Sequence, residues 1–323
     1  MTKQIKITTD QSGQRLDKFL TKKLGLSRSQ IQKLIKQELV LVNDQKTNVH
    51  HFLKESEKIT ITKNKPQTAD NKLPATSREQ RAAANHLPKF DLKIIAQTPD
   101  YLIVNKPASI PVHPDNRYKT GTLIQKVASR FPNIKKVGED KSRPGVVHRL
   151  DKDVSGLVVV AKNKKMFDHL KNQFSNRLVQ KKYIALANGY FTPESGEINF
   201  PIARSKNGLM VARSTGQDGK PAITNYQVTK YYINYSLVEA YPKTGRTHQI
   251  RVHFKALGHP LVGDTIYKIK KQKPEKHPLD RIFLHAQTLG FYDLRQQWQE
   301  FTCPLPIELE DYLKQLKPTV NKQ

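Results

Sequence analysis

The chain has 323 residues, room for one sizeable domain or two modest ones, and carries 56 Lys+Arg against 28 Asp+Glu, a formal charge of +28. Such an excess repels itself in the folded state, so a polyanionic partner is the economical explanation, and nucleic acid fits because neutralised phosphates release condensed counterions. The longest apolar runs, such as Leu157 to Ala161, are far too short to span a bilayer, Met1-Thr2-Lys3-Gln4 reads as no signal peptide, and the single cysteine, Cys303, excludes an internal disulfide and a multi-cysteine zinc site. A 37% apolar fraction is low for a compact globule and predicts linker or exposed basic surface. The expectation is a cytoplasmic chain facing RNA or DNA, with no membrane partner.

In chain order, residues 1–63 read as a small α/β module. Leu16, Phe19, Leu20 and Leu24 recur at helical spacing, and Gly25 suits a helix stop. Ser27 is placed to cap a second helix with Ile31, Leu34 and Ile35 on one face and Arg28, Lys33 and Lys36 on the other. Leu39 to Val42 and Ile59 to Thr62 read as short strands. The segments Arg15-Leu16-Asp17-Lys18-Phe19-Leu20, Ser27-Arg28-Ser29-Gln30-Ile31 and Leu39-Val40-Leu41-Val42-Asn43 resemble the S4 RNA-binding domain. The resemblance implies RNA contacts from Arg15, Lys18, Arg28, Lys33 and Lys36. Glu38 and Asp44 stand where that family often has glycine, which predicts strained or shifted turns.

Residues 64–88 lose periodicity and read as a linker, with one helical turn around Arg78 to Ala84, because unstructured loops beyond about fifteen residues are uncommon inside compact domains. Residues 89–317 mix strands and helices, and 318–323 form a tail. Leu92 to Ile95, Tyr101 to Val104, Gly145 to His148, Leu157 to Ala161, Val179 to Ala187, Ala222 to Tyr231 and Tyr235 to Ala240 read as strands. Asn163 is placed to cap a helix reaching about Leu178, with Met166, Leu170 and Phe174 on one stripe. Runs of strands with few helices predict an α+β fold with a mixed, mostly antiparallel sheet. No internal repeat is present.

The segment Gly145 to Gly156 lies between two predicted strands, where a polar turn would display Asp151 at a strand end. Spacing alone does not separate Asp151 from Asp153. The residues His148-Arg149-Leu150-Asp151-Lys152-Asp153-Val154-Ser155-Gly156 resemble the signature of the RluA-type pseudouridine synthases. Four further segments match that family in order. Asn105-Lys106-Pro107-Ala108 with His113-Pro114 resembles its first motif, and Lys182-Tyr183 its Lys-Tyr pair. Thr244-Gly245-Arg246-Thr247-His248-Gln249-Ile250-Arg251 resembles its arginine motif. Gly263-Asp264-Thr265, Arg281 and Leu284-His285-Ala286 resemble its closing segments.

The resemblance implies the pseudouridine synthase fold and an isomerase that breaks the uridine N1–C1′ bond, turns the uracil and rejoins it through C5. It assigns Asp151 as the essential carboxylate, acting on sugar or base as nucleophile or as a base on a ribose proton. Nothing is oxidised and no group is imported, so no cofactor or metal is expected; His248 and His253, five apart, lack the spacing of a helical zinc pair. Thr247 is placed to cap a helix running to Leu257, with Gly258 after it. Arg246 at that positive helix end is therefore the expected partner of Asp151. Tyr183 is expected to stack on the target base, with Leu284 and Lys182 also at the substrate. The resemblance implies that Arg149 fills the space left by a flipped base or contacts the surroundings of the flipped nucleotide, while His148 either assists or, by preference, packs beneath the turn. Val154 replaces the usual threonine, which leaves Ser155 as the hydroxyl of the loop, and Ser109 replaces a common glycine. Residues 268–280 read as basic RNA-contact surface, with a plain solvated loop as the alternative.

The expected partner is RNA, with large-subunit ribosomal RNA ahead of transfer RNA, and nothing demands a protein partner or more than a monomer. Two other functions compete: a non-catalytic RNA-binding chaperone and a nucleic-acid glycosylase. Asp151, Tyr183 and Arg246 together count against the first. Against the second, most glycosidases position two carboxylates, whereas the matched motifs here pair one with Arg and Tyr.

Overall fold

Leu16, Leu20, Ile31 and Ile35 are each buried, which is why two short helices form where the apolar positions recur. The computed structural model describes residues 3–48, 51–62, 88–115, 117–205, 207–214, 218–269 and 278–319. Contacts divide the chain into two units, Met1–Ala75 and Thr76–Gln323. In the first, helices Leu16–Leu24 and Arg28–Lys36 share a core with a four-stranded sheet of β1 (Lys3–Lys6), β2 (Val40–Val42), β3 (Gln45–Lys46) and β4 (Lys58–Ile61), in the order β1-β4-β2-β3. Gly25 ends the first helix at φ +65°, and Ser27 caps the second: its Oγ accepts from the Gln30 N–H at 3.3 Å while Gln30 Oε1 accepts from the Ser27 N–H. Asn43 and Asp44, at φ +50° and +60°, form the two-residue turn between β2 and β3, and Glu38 sits at +61°. The glycine-like backbone is therefore kept at Glu38 and Asp44 and strained, rather than shifted. Residues 63–87, almost the whole expected linker with its helical turn, lie outside the described residues.

The second unit is built on β5 (Lys93–Gln97), β6 (Tyr101–Lys106), β7 (Ser155–Ala161), β8 (Gln180–Asn188), β9 (Ser195–Ile198), β12 (Thr224–Tyr232), β13 (Tyr235–Pro242), β14 (Leu284–Tyr292) and β15 (Trp298–Thr302). They form one nine-stranded sheet, order β5-β6-β7-β14-β8-β13-β12-β9, with β15 also on β14; β10 (Ile202–Arg204) and β11 (Met210–Ala212) pair separately. Only β7 and β14 run parallel in that sheet. This is the α+β architecture read from the sequence. Both faces of the sheet centre are covered. Leu102, Val104, Val158 and Val160 pack on one side, and Ile103, Leu157 and Val159 pack with Met166 and Leu170 of helix Lys164–Ser175 on the other. Double burial is the reason β7 reads as an unbroken apolar run rather than an alternating one. Gly156 lies where β7 meets β14: at φ +120°, a Cβ there would stand 2.2 Å from the Ala286 carbonyl oxygen. Only glycine fits that approach.

Several boundaries differ from expectation. Residues 145–148 form no strand; one bridge, Val146 to Val160, and a side-chain bond from His148 hold them against β7. Asn163 caps its helix as expected, its Oδ1 accepting from the Met166 N–H at 2.9 Å, but the helix stops at Ser175. Thr247 does not cap: helix Gln249–Ala256 starts after His248, which is left-handed at φ +57°. The expected tail is tied down at its start, because the Thr319 N–H donates to the Tyr231 carbonyl at 3.1 Å; residues 320–323 lie outside the described residues.

Candidate active site

A cavity of about 620 Å³ opens beside the loop that precedes β7, and Asp151 lines it together with Tyr183, Arg251 and Leu284. The Asp151 side chain is 18% exposed and meets Arg251 Nη1 at 3.3 Å. The rest of that guanidinium is committed elsewhere. Asp264, fully buried, takes Arg251 Nε at 2.7 Å and Nη2 at 2.9 Å in a bidentate pair, and also accepts the N–H groups of Ile266 and Tyr267. Burial alone would raise the Asp264 carboxyl, but these bonds outweigh it and hold it below the usual carboxylate range. Burial likewise disfavours a charged Arg251, and the two carboxylates overcome that and strengthen its charge. The Tyr267 ring lies 5.0 Å from the guanidinium, and its hydroxyl shares a 2.7 Å hydrogen bond with His248 Nδ1. Gly263 permits this turn: a Cβ there would collide with the Arg281 carbonyl.

Tyr183 comes from β8. Burial first, and then the Asp151 charge, push its hydroxyl pKa up, so the ring presents a neutral phenol. Loop position is set from behind by Lys106, whose fully buried Nζ donates to the carbonyls of Pro107 (2.8 Å), Ile110 (2.7 Å) and Lys152 (2.9 Å). Burial pushes Lys106 down to about 7. Ser155 closes the loop, bonded to Arg281 Nη2 at 2.6 Å and to His285 Nδ1 at 2.8 Å.

Residues 100–256 match the RNA pseudouridylate synthase family, and residues 14–59 match the S4 domain family. An uncharacterized RNA pseudouridine synthase of Bacillus subtilis is 35% identical over 318 residues, 97% of this chain and 98% of that protein. The ribosomal large subunit pseudouridine synthase D of Haemophilus influenzae is 32% identical over 331 residues, covering 98% of this chain and 95% of that protein. The chain belongs to the RluA-type RNA pseudouridine synthases. In agreement, the structure of the human RNA pseudouridylate synthase domain containing 1 superposes with a TM-score of 0.58 at 29% identity, over 72% of this chain and 91% of that one.

In this synthase Asp151, Tyr183, Leu284, Arg149, His148 and Arg246 all line one cavity, while Asp153 does not, which separates the two aspartates that spacing left tied. Two residues are placed differently from the sequence reading. Arg246 lies ahead of the left-handed His248 and donates through Nε to the Pro221 carbonyl at 3.0 Å; Arg251, in the first turn of the helix, meets Asp151 in its place. Nothing in a segment with two arginines marks which one turns inward. Lys182 is not in the cavity wall and pairs with Glu239 at 3.3 Å; alternation along β8 gives the cavity Lys181 instead.

His148 packs as preferred, stacked 4.7 Å over Phe174 while Nε2 accepts the Val159 N–H at 3.0 Å. Desolvation holds it neutral, down to about 3. Arg149 is exposed at the rim, its Nη1 3.4 Å from His113 Nε2. Val154 is buried in the same apolar cluster as Leu284, and its N–H donates to the Asp151 carbonyl at 3.2 Å, so a methyl does there what packing alone requires. Ser109 adopts φ +63°, the conformation a glycine would take. His253 is buried and bonded to Thr224 and the Phe200 carbonyl. The roles of Lys106, Arg251 and Asp264 were missed, although all three stand in quoted motifs. In the S4 unit Arg15 is turned onto Asp17 at 2.9 Å and Lys18 is exposed; the side chains of Arg28, Lys33 and Lys36, and residues 270–277 of the basic loop, lie outside the described residues.

Proposed function

We propose that Asp151 is the catalytic carboxylate of this synthase and that its substrate is a uridine of large-subunit ribosomal RNA, flipped into the cavity beside Tyr183. The observation that carries the assignment is the contact of Asp151 with Arg251, a cation already fixed by buried Asp264. A carboxylate that must react as an anion needs such a partner, and one pre-set by a second carboxylate costs no reorganisation during reaction. The N1–C1′ bond breaks with its electron pair left on N1, uracil turns against the Tyr183 ring, C5 joins C1′, and the proton lost from C5 is matched by one gained at N1. Tyr183 acts as a platform and a neutral hydrogen-bonding phenol. Arg149 at the rim is suited to fill the gap in the RNA stem.

Two observations favour ribosomal RNA. Relatives aligned over nearly the whole chain are named large-subunit synthases D and C, and the S4 match supplies a second RNA-binding unit. Such a substrate belongs in the cytoplasm and asks only for a monomer with residues 1–63 as the RNA-binding unit, 64–88 as linker and 89–317 as the synthase domain. The test uses RNA from a strain lacking the gene, incubated with the protein and mapped for pseudouridine and free uracil at nucleotide resolution. New pseudouridine in large-subunit RNA that disappears with Asp151→Asn is expected. Modification confined to transfer RNA would overturn the substrate, released uracil would indicate a glycosylase, and binding without product a chaperone.

A further inference from the structure

Several cations in the cavity wall lie outside the Asp151 machinery, Lys181 and Lys243 among them. Lys181 and Tyr183 alternate onto the same face of β8 and both line the cavity, as does Lys243 from the turn after β13. Lys181 is half-buried, and its Nζ donates to the Thr244 carbonyl at 3.3 Å. Among the described residues, no carboxylate pairs with Lys181 or with Lys243. The other groups around it are no help: His148 is neutral, Arg177 and Arg246 add positive charge to the wall, and Asp151 is held by Arg251. Burial first, and then the charge of Lys243, push Lys181 down to about 8.

A desolvated lysine beside a second cation, with only a carbonyl for company, is disfavoured in its charged form until an anion arrives. In an otherwise neutral nucleotide the anion is the phosphodiester. Same-face neighbours on a strand stand about 7 Å apart, which is the order of separation between a base and its own phosphate. We propose that Lys181, backed by Lys243, is the subsite for the phosphodiester of the flipped uridine, so that one strand supplies both the platform for the base and the anchor for its phosphate. The proposal rests on the reading that this cavity takes the target nucleotide.

The test is steady-state kinetics of the full chain on an RNA that the wild type converts. Lys181→Gln is expected to raise KM roughly tenfold with kcat within about twofold, as for a contact made equally in ground and transition states. It should also reduce the slope of log affinity against log salt by about 0.7–0.9, the share of one phosphate. Wild-type kcat/KM should fall above about pH 8 as Lys181 loses its proton; Lys181→Arg should keep the affinity and abolish that alkaline limb. Should Lys181→Gln fail to fold, Lys181→Arg and the exposed Lys243→Gln decide the matter, the latter by moving the limb to higher pH. Loss of kcat with KM unchanged, an unchanged KM and salt slope, or a limb that persists in Lys181→Arg would overturn the proposal. An unaffected Lys181→Gln beside a dead Asp151→Asn overturns this proposal alone, whereas a wild type that binds RNA and converts none, so that no substrate for these kinetics is found, overturns both.

Discussion

Arg251 is shared unequally between two carboxylates, and the inequality has a use. Asp264 takes two of its nitrogens in a buried bidentate pair, while Asp151 takes one at a longer 3.3 Å. Asp151 thus sits beside a fixed positive charge without surrendering both oxygens to it, so one oxygen stays open toward the cavity. Removing one partner of a buried ion pair typically costs about 3–5 kcal/mol because the other is left uncompensated. Arg246, by contrast, bonds a single carbonyl at the surface of the cavity. Arg251→Ala should therefore lower kcat by at least about a hundredfold, the scale of losing one preorganised electrostatic contact. Arg246→Ala should stay within about tenfold. Single-turnover conversion of ribosomal RNA by the two variants, each checked for folding by circular dichroism, decides between them; equal losses would return the catalytic cation to Arg246.

At the level of elements, the sequence was most legible where one physical signal dominated. The Asn163 cap, the Ser27 cap and the apolar run of β7 each follow from residues that admit one conformation. The site itself depends on quantities a linear pattern does not carry. Lys181 and Lys182 are chemically identical, and only the register of β8 against β13 and β14 fixes which one faces the cavity. The 249–256 helix begins one residue later than a threonine cap would place it, because His248 takes a left-handed turn while Gln249 Oε1 accepts the Arg246 N–H at 3.0 Å. That single turn places Arg246 on the Pro221 carbonyl and Arg251 on Asp151. Residues 145–148 read as a strand because Val146 and Val147 are apolar and β-branched, yet these two side chains serve packing against β7 rather than a ladder. The parity argument can be checked directly. Lys182→Gln removes a partly exposed ion pair with Glu239, which is worth less than about 1 kcal/mol. Its melting temperature and kcat/KM should stay close to wild type; a tenfold loss of kcat/KM would mean that Lys182 reaches the substrate after all.

For the whole molecule, the question is where the charge of +28 acts. The two units have separate cores: Leu16, Leu20, Ile31 and Ile59 in one, and residues from Leu102 onward in the main cluster of the other, with neither cluster drawing on the other unit. Binding and chemistry can therefore be separated by truncation. The first unit carries exposed Lys18, Lys22 and Lys23 on its first helix, and each phosphate such a residue neutralises adds about 0.7–0.9 to the slope of log affinity against log salt. Removing residues 1–63 should then weaken RNA binding most at low salt and flatten the slope by about 2 or more. It should leave the thermal unfolding of the remaining unit unchanged, and kcat at saturating RNA intact, because Asp151, Arg251 and Asp264 all belong to that unit. Filter binding across a salt series, paired with single-turnover rates, reads both quantities from one preparation. Unchanged affinity and slope would sink the role of the first unit in RNA binding, and a lost kcat would mean that the unit helps to shape the site rather than only to bring RNA to it.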